Sequence, residues 1–140
     1  MMYLPNDTID ETKQFLLACE LEWAKAQPEF YEFALMKGQI HIGAVGIYLN
    51  NRRDTVELGW ILHPSYHNRG YATEAARAVM SFAKQELNIH RFIAHCDTEN
   101  IASQKVMEKL GLVRISCSGG RKNKGSVEER FEYVYELITF

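Results

Sequence analysis

Cysteine is scarce in this sequence: three in 140 residues, at Cys19, Cys96 and Cys117, with no C-x-x-C pair. An odd, scattered set builds neither a zinc knuckle nor a disulfide framework. It fits a reducing cytoplasm, where such thiols act as small buried apolar groups. Excess positive charge is also lacking. The formal net charge is -2, so there is no general basic face for nucleic acid. No apolar run approaches the ~20 residues that cross a bilayer, and the first residues lack a signal-peptide layout. What is present is an ordinary globular mix, 46% hydrophobic and 24% charged. With no repeat or linker, one domain over residues 1–140 is expected, with neither nucleic acid nor membrane as partner.

The order of elements follows from periodicity. Thr8 to Ala26 reads as a helix: Thr8 and Glu11 form a capping box, Phe15, Cys19 and Trp23 make a buried stripe, and Pro28 ends it. Phe30–Met36 and Ile40–Leu49 flank Lys37-Gly38 as a hairpin. After the polar turn at 50–54, Val56–Leu62 is a third strand. Val56, Leu58, Trp60 and Leu62 share one of its faces, and Glu57, Gly59 and Ile61 share the other.

The pattern then changes. Ala75, Ala76, Val79, Met80, Ala83 and Leu87 predict an amphipathic helix over Ala72–Leu87. Arg91–Cys96 is a short strand, and Ile101–Leu110 is a helix stopped by Gly111. Val113–Ser118 and Phe131–Ile138 are strands around a polar connector, "GGRKNKGSVEE", expected to be mobile. Strand, helix and strand in succession imply a right-handed crossover between parallel strands. The fold class is mixed α/β, with a mostly antiparallel sheet that becomes locally parallel.

One junction is unusual. "HPSYHNRGYATEA", residues 63–75, carries the chain from a strand into a helix. A helix start offers unpaired N–H groups and the positive end of a dipole, where phosphates settle. Gly70 and Ala72 let the backbone come close, and Arg69 adds charge at the rim, so residues 68–73 can cradle a pyrophosphate. Plain turn chemistry would also explain the glycine. No GKS or GKT follows, and the three glycines of a dinucleotide fingerprint are missing, which argues against nucleoside triphosphates and nicotinamide cofactors.

The six positions His67-Asn68-Arg69-Gly70-Tyr71-Ala72 resemble the acyl-coenzyme A motif of the GNAT superfamily of N-acetyltransferases, written Q/R-x-x-G-x-G/A. The runs "ELGWILHP" and "TEA" around it, and "NIASQKVMEKLGL" near Asn100, are similar to the branch that acetylates ribosomal-protein N-termini. Two departures stand out. His67 occupies the Gln or Arg position, and only "MMYLPND" precedes the first helix where family members carry a strand, so that strand is expected to be absent or shortened.

The resemblance implies a GNAT (acyl-CoA N-acyltransferase) fold with a splayed parallel strand pair flanked by helices. It also implies acetyl-CoA as cosubstrate, no metal, and direct transfer to a primary amine in a ternary complex. The pantetheine arm would enter the splay along Ile61, Leu62 and His63. The pyrophosphate would sit on His67, Asn68, Arg69, Gly70, Tyr71, Ala72 and Thr73. Glu57 matches the family's strand glutamate and is the candidate base; the plain alternative is a surface carboxylate paired with Arg52 or Arg53. Asn100 is a helix cap in any case, and the resemblance adds a contact to pantetheine. Many members place a tyrosine proton donor seven residues after this asparagine, where Met107 stands here. Ser103, present in the similar branch, then becomes the coenzyme-binding and proton-donating candidate, against a helix serine bonded to its own preceding turn.

His41, His63 and His95 read mainly as structural, and His95 and Cys96 point to opposite strand faces, so they form no dyad. Trp23, Phe30 and Tyr31 read as core and site wall. Two further readings stay open: an acyl-CoA-binding regulatory module with weak catalysis, and an acetyltransferase for a small amine such as a polyamine or antibiotic. An open sheet edge at residues 30–36 is expected to be covered by a stub strand from Met1–Leu4 or by a second copy in a homodimer.

Overall fold

The structure, a computed structural model, describes residues 9–121 and 129–139. In chain order the elements are α1 (Ile9–Trp23), β1 (Phe30–Lys37), β2 (Ile40–Leu49), β3 (Thr55–Leu62), α2 (Tyr71–Leu87), β4 (Arg91–Asp97), α3 (Ile101–Lys109), β5 (Val113–Arg121) and β6 (Arg130–Ile138), with a 3-10 turn at Pro64–Tyr66. The six strands form one sheet in the order β1-β2-β3-β4-β6-β5. All pairings are antiparallel except β3 with β4, which the α2 crossover makes parallel.

Strand alternation decides which side chains enter the core. Val45, Ile47, Val56, Leu58, Trp60, Phe92, Ala94 and Cys96 point to the helical side, where Ala76, Val79, Met80 and Ala83 of α2 and Met107 of α3 meet them. The amphipathic spacing read for α2 is therefore the stripe that packs. The opposite face of β3 and β4 carries Glu57, Ile61, Ile93, His95 and Asp97, all half-buried.

The splay is built into the ladder. β3 and β4 pair from Thr55–Arg91 to Leu58–Ala94 and no further, although β3 runs on to Leu62 and β4 to Asp97. Beyond that rung a gap opens between the C-terminal halves of two parallel strands.

The first helix departs from expectation. Of the stripe Phe15, Cys19 and Trp23, only Cys19 is buried; Phe15 is 37% and Trp23 43% exposed. α1 lies over β1 at the sheet's edge, so it has a line of contact rather than a full face. Trp23 still packs edge-on against Tyr31 and Phe33, at centroid distances of 4.8 and 5.3 Å. The helix also ends at Trp23, short of Ala26. Buried Glu22 accepts the Glu29 N–H at 2.6 Å and pairs with Lys25 at 2.8 Å, which turns the chain before Pro28 is reached. The Thr8 cap, the Met1–Leu4 stub and most of the β5–β6 connector lie outside the described residues. Within them no strand precedes α1, and β1 is an edge strand.

Candidate active site at the strand gap

The junction before α2 has the geometry of an anion cradle. Gly70 takes φ 80°, a left-handed conformation that glycine adopts without steric cost, and no side chain caps the helix. The first helical bond runs from Glu74 N–H to Gly70 O at 3.0 Å, which leaves Tyr71, Ala72 and Thr73 as N–H groups without a partner inside the helix. The Ala72 methyl is buried in the core.

Side chains brace the junction. His67 Nε2 lies 2.8 Å from Leu62 O, and His63 Nδ1 accepts the Ser65 N–H at 3.1 Å. Arg69 sits over the Tyr66 ring at 5.9 Å. Lys37, from the tip of the β1–β2 hairpin, reaches the same place, with Nζ 5.8 Å from the Tyr66 ring centre and 5.6 Å from that of Tyr71. The Lys37 ammonium, helped by Arg69, holds the Tyr71 phenol below its ordinary range. Two cations thus stand beside the uncapped helix start. From Gly70 a groove of about 590 Å³ runs along α2 past Thr73, Arg77 and Ser81 to Lys109, where Arg77 donates to Lys109 O at 2.9 Å.

The gap has a defined backbone lining. Successive residues of a strand send their N–H and C=O to opposite sides. His63 N–H is bonded to Ile42 O at 2.8 Å, and Ile61 O points at Gly43. Ile61 and His63 are therefore committed to β2, and Trp60 and Leu62 turn their peptide groups toward the gap.

Glu57 faces this region from β3. Burial pushes its carboxyl above the usual glutamate range, partly offset by His95. Its side-chain partner is not Arg52 or Arg53 but His95, with Oε1 to Nε2 at 3.3 Å. His95 Nδ1 in turn lies 3.3 Å from Glu132 Oε1, and Arg121 holds the other Glu132 oxygen at 3.1 Å.

On the other side of the gap, Asn100 caps α3, its Oδ1 accepting the Ser103 N–H at 3.1 Å. Ser103 is 4% exposed, and among the described residues its hydroxyl has no hydrogen-bond partner, so no bond ties it to the preceding turn. Met107 is fully buried in the core and contributes nothing to the gap. Arg130 of β6 fixes the loop before Asn100, gripping Asp97 through Nε at 3.0 Å and Glu99 through Nη2 at 2.5 Å.

The sequence marks none of Lys37, Trp60, Arg77, Glu132 and Arg121 as a site residue, and it reads His95 as structural. The alternation of β4 puts His95 on the Glu57 face, but their meeting depends on a register that no local pattern displays.

This arrangement has known counterparts. The profile described as "Acetyltransferase (GNAT) domain" matches residues 1–113. The chain belongs to the GNAT acetyltransferase family. It is 45% identical over 97 residues to the uncharacterized N-acetyltransferase YnaD of Bacillus subtilis, a match covering 69% of this chain and 56% of YnaD. The chain thus spans little more than half of that relative. An acetyltransferase of the GNAT family from Bacillus anthracis superposes with a TM-score of 0.75 at 30% identity, covering 94% of this chain and 75% of that one. The Salmonella typhimurium acetyltransferase that modifies the N-terminal serine of ribosomal protein L7/L12 shares the fold, with a TM-score of 0.84 at 16% identity over 95% of this chain and 76% of its own. Among the described residues, no helix is long and apolar enough to cross a membrane.

Proposed function

We propose that this chain is an acetyl-CoA-dependent N-acetyltransferase that passes the acetyl group directly to a primary amine. One observation carries the reading: the β3–β4 ladder stops at Leu58–Ala94 beside the uncapped helix start at Gly70. In it, the pyrophosphate rests on the α2 N-terminus with Arg69 and Lys37 beside it, and the pantetheine arm enters the gap along Trp60 and Leu62. A backbone N–H of β3 meets the thioester oxygen as negative charge develops there. Glu57 takes the acceptor's proton, the amine nitrogen forms the C–N bond as the C–S bond breaks, and Ser103 protonates the departing thiolate. Burial raises the Glu57 carboxyl and so makes it a stronger base toward the acceptor's proton.

For the acceptor, a protein N-terminus leads. The blocks at residues 57–64 and 100–112 resemble the branch that modifies ribosomal proteins, and the Salmonella enzyme of the same fold acts on such a terminus. Coenzyme A at ~100 times its dissociation constant should stabilise the chain by about 2.7 kcal/mol, while ATP and NAD should not. Gly70→Glu should remove that gain by setting bulk and negative charge against the pyrophosphate. Free-thiol release from acetyl-CoA over peptides, polyamines and aminoglycosides then names the acceptor. A stabilising response without turnover on any of them would favour the binding-module reading.

A further inference from the structure

Resting on the assignment of Glu57 as base, we propose that His95 is a positioning residue that carries the acceptor's proton away from Glu57. His95 is the first residue of β4 past the last rung shared with β3, so its ring stands where the strands part. Both ring nitrogens are engaged: Nε2 with Glu57 Oε1 and Nδ1 with Glu132 Oε1, each at 3.3 Å. Arg121 grips the far oxygen of Glu132 at 3.1 Å. The result is a line of four side chains, Arg121, Glu132, His95 and Glu57, drawn from β5, β6, β4 and β3 and ending at the base. Among the described residues, Arg91 and Asp97 are the other charged side chains on this face of β4; Arg91 pairs with Glu136 and Asp97 with Arg130.

The line has a direction. Glu132, held by Arg121, accepts the Nδ1–H and so presents the lone pair of Nε2 to Glu57, as the buried carboxylate of a catalytic triad fixes its histidine's tautomer. Once Glu57 has taken a proton from the acceptor ammonium, its O–H bond breaks and an Nε2–H bond forms. The positive imidazolium then lies between two carboxylates. Glu57 is again an acceptor, and the half-exposed ring passes the proton to water. The base is thereby reset without opening the gap to solvent.

The test combines substitution, chemical rescue and a double-mutant cycle. His95→Gln and His95→Ala should each lower kcat by about tenfold, less than the ~10²-fold low end for losing the base itself, with the KM for acetyl-CoA and the coenzyme-induced rise in Tm unchanged. Added imidazole should restore much of the His95→Ala rate and none of the His95→Gln rate. In a Glu57→Gln background, His95→Gln should cost nothing more, because the two groups act as one unit. A wild-type rate in His95→Gln, no response to imidazole, or an undiminished effect in the Glu57→Gln background would overturn the relay. Should His95→Ala not fold, the cycle with His95→Gln decides alone. The two readings fail differently: a wild-type rate in Glu57→Gln removes the base and the relay together, whereas a slow Glu57→Gln beside a normal His95→Gln removes the relay only.

Discussion

Gly43 lies against Ile61 across the β2–β3 ladder so closely that a Cβ built on it would sit 2.2 Å from the Ile61 carbonyl oxygen. The obstructing atom is backbone, so no rotamer change relieves the contact. Gly43→Ala must push β3 away just where its other edge lines the gap. Overpacking of this kind costs about 2 kcal/mol, which for a chain of this length lowers Tm by about 7 °C. The KM for acetyl-CoA should rise with it, since Leu62 shifts with Ile61. A thermal melt and a saturation curve on the same variant check both halves. An unchanged KM would place the coenzyme arm away from this strand.

Ser103 and Met107 occupy adjacent turns of α3 but opposite environments. The serine hydroxyl has no hydrogen-bond partner among the described residues, while the thioether is sealed in the core. Ser103→Ala should lower turnover by roughly 10²-fold and leave coenzyme affinity in place. Restoring the family's tyrosine through Met107→Tyr should not rescue that loss. A phenol there is forced into a packed interior without a site to protonate, so the double variant should melt earlier and stay slow. Recovery of the rate in the double variant would mean that position 107 can turn toward the gap.

What could be read from the sequence divides along a physical line. The apolar alternation of Val56, Leu58 and Trp60 is local, so it alone places Glu57 off the core. The order of elements, Gly70 at the helix start and Asn100 as a cap are local too. Register is not local. Neither the pairing of Glu57 with Ile93, which brings His95 to Glu57, nor that of β4 with β6, which brings Glu132 to His95, leaves a trace in neighbouring residues. The stripe on α1 failed for a related reason: its spacing is right, but at a sheet edge there is too little surface to cover Phe15 and Trp23.

Arg130 grips Asp97 with two nitrogens, Nε at 3.0 Å and Nη2 at 3.3 Å, and reaches Glu99 as well. It thereby fixes the short connection from β4 into the Asn100 cap. Arg130→Ala should raise the KM for acetyl-CoA several-fold while altering Tm little, because the loop is at the surface and the core is untouched. Arg130→Lys should restore only part of the loss, since a single ammonium cannot reproduce the planar two-point grip. Full recovery with lysine would show that charge alone holds the loop.

The carboxyl of Glu57 is raised chiefly because it is buried. A raised carboxyl binds its proton more readily in the folded chain than in the unfolded one. Its favourable contribution is therefore complete below the ordinary glutamate range and is lost as pH climbs through the raised value. Glu57→Gln keeps a neutral side chain of the same shape and has nothing to lose. Its Tm should match the wild type near about pH 4 and exceed it increasingly toward about pH 8. Over the same interval its turnover should stay below wild type, with the deficit smallest at the acid end, where the wild-type carboxyl is itself protonated and cannot act as a base. Opposite signs in the two measurements would mark Glu57 as a group held at a cost to stability for the sake of the reaction. Equal Tm at all pH values would mean that solvent reaches the carboxyl freely, and that burial does not set its protonation.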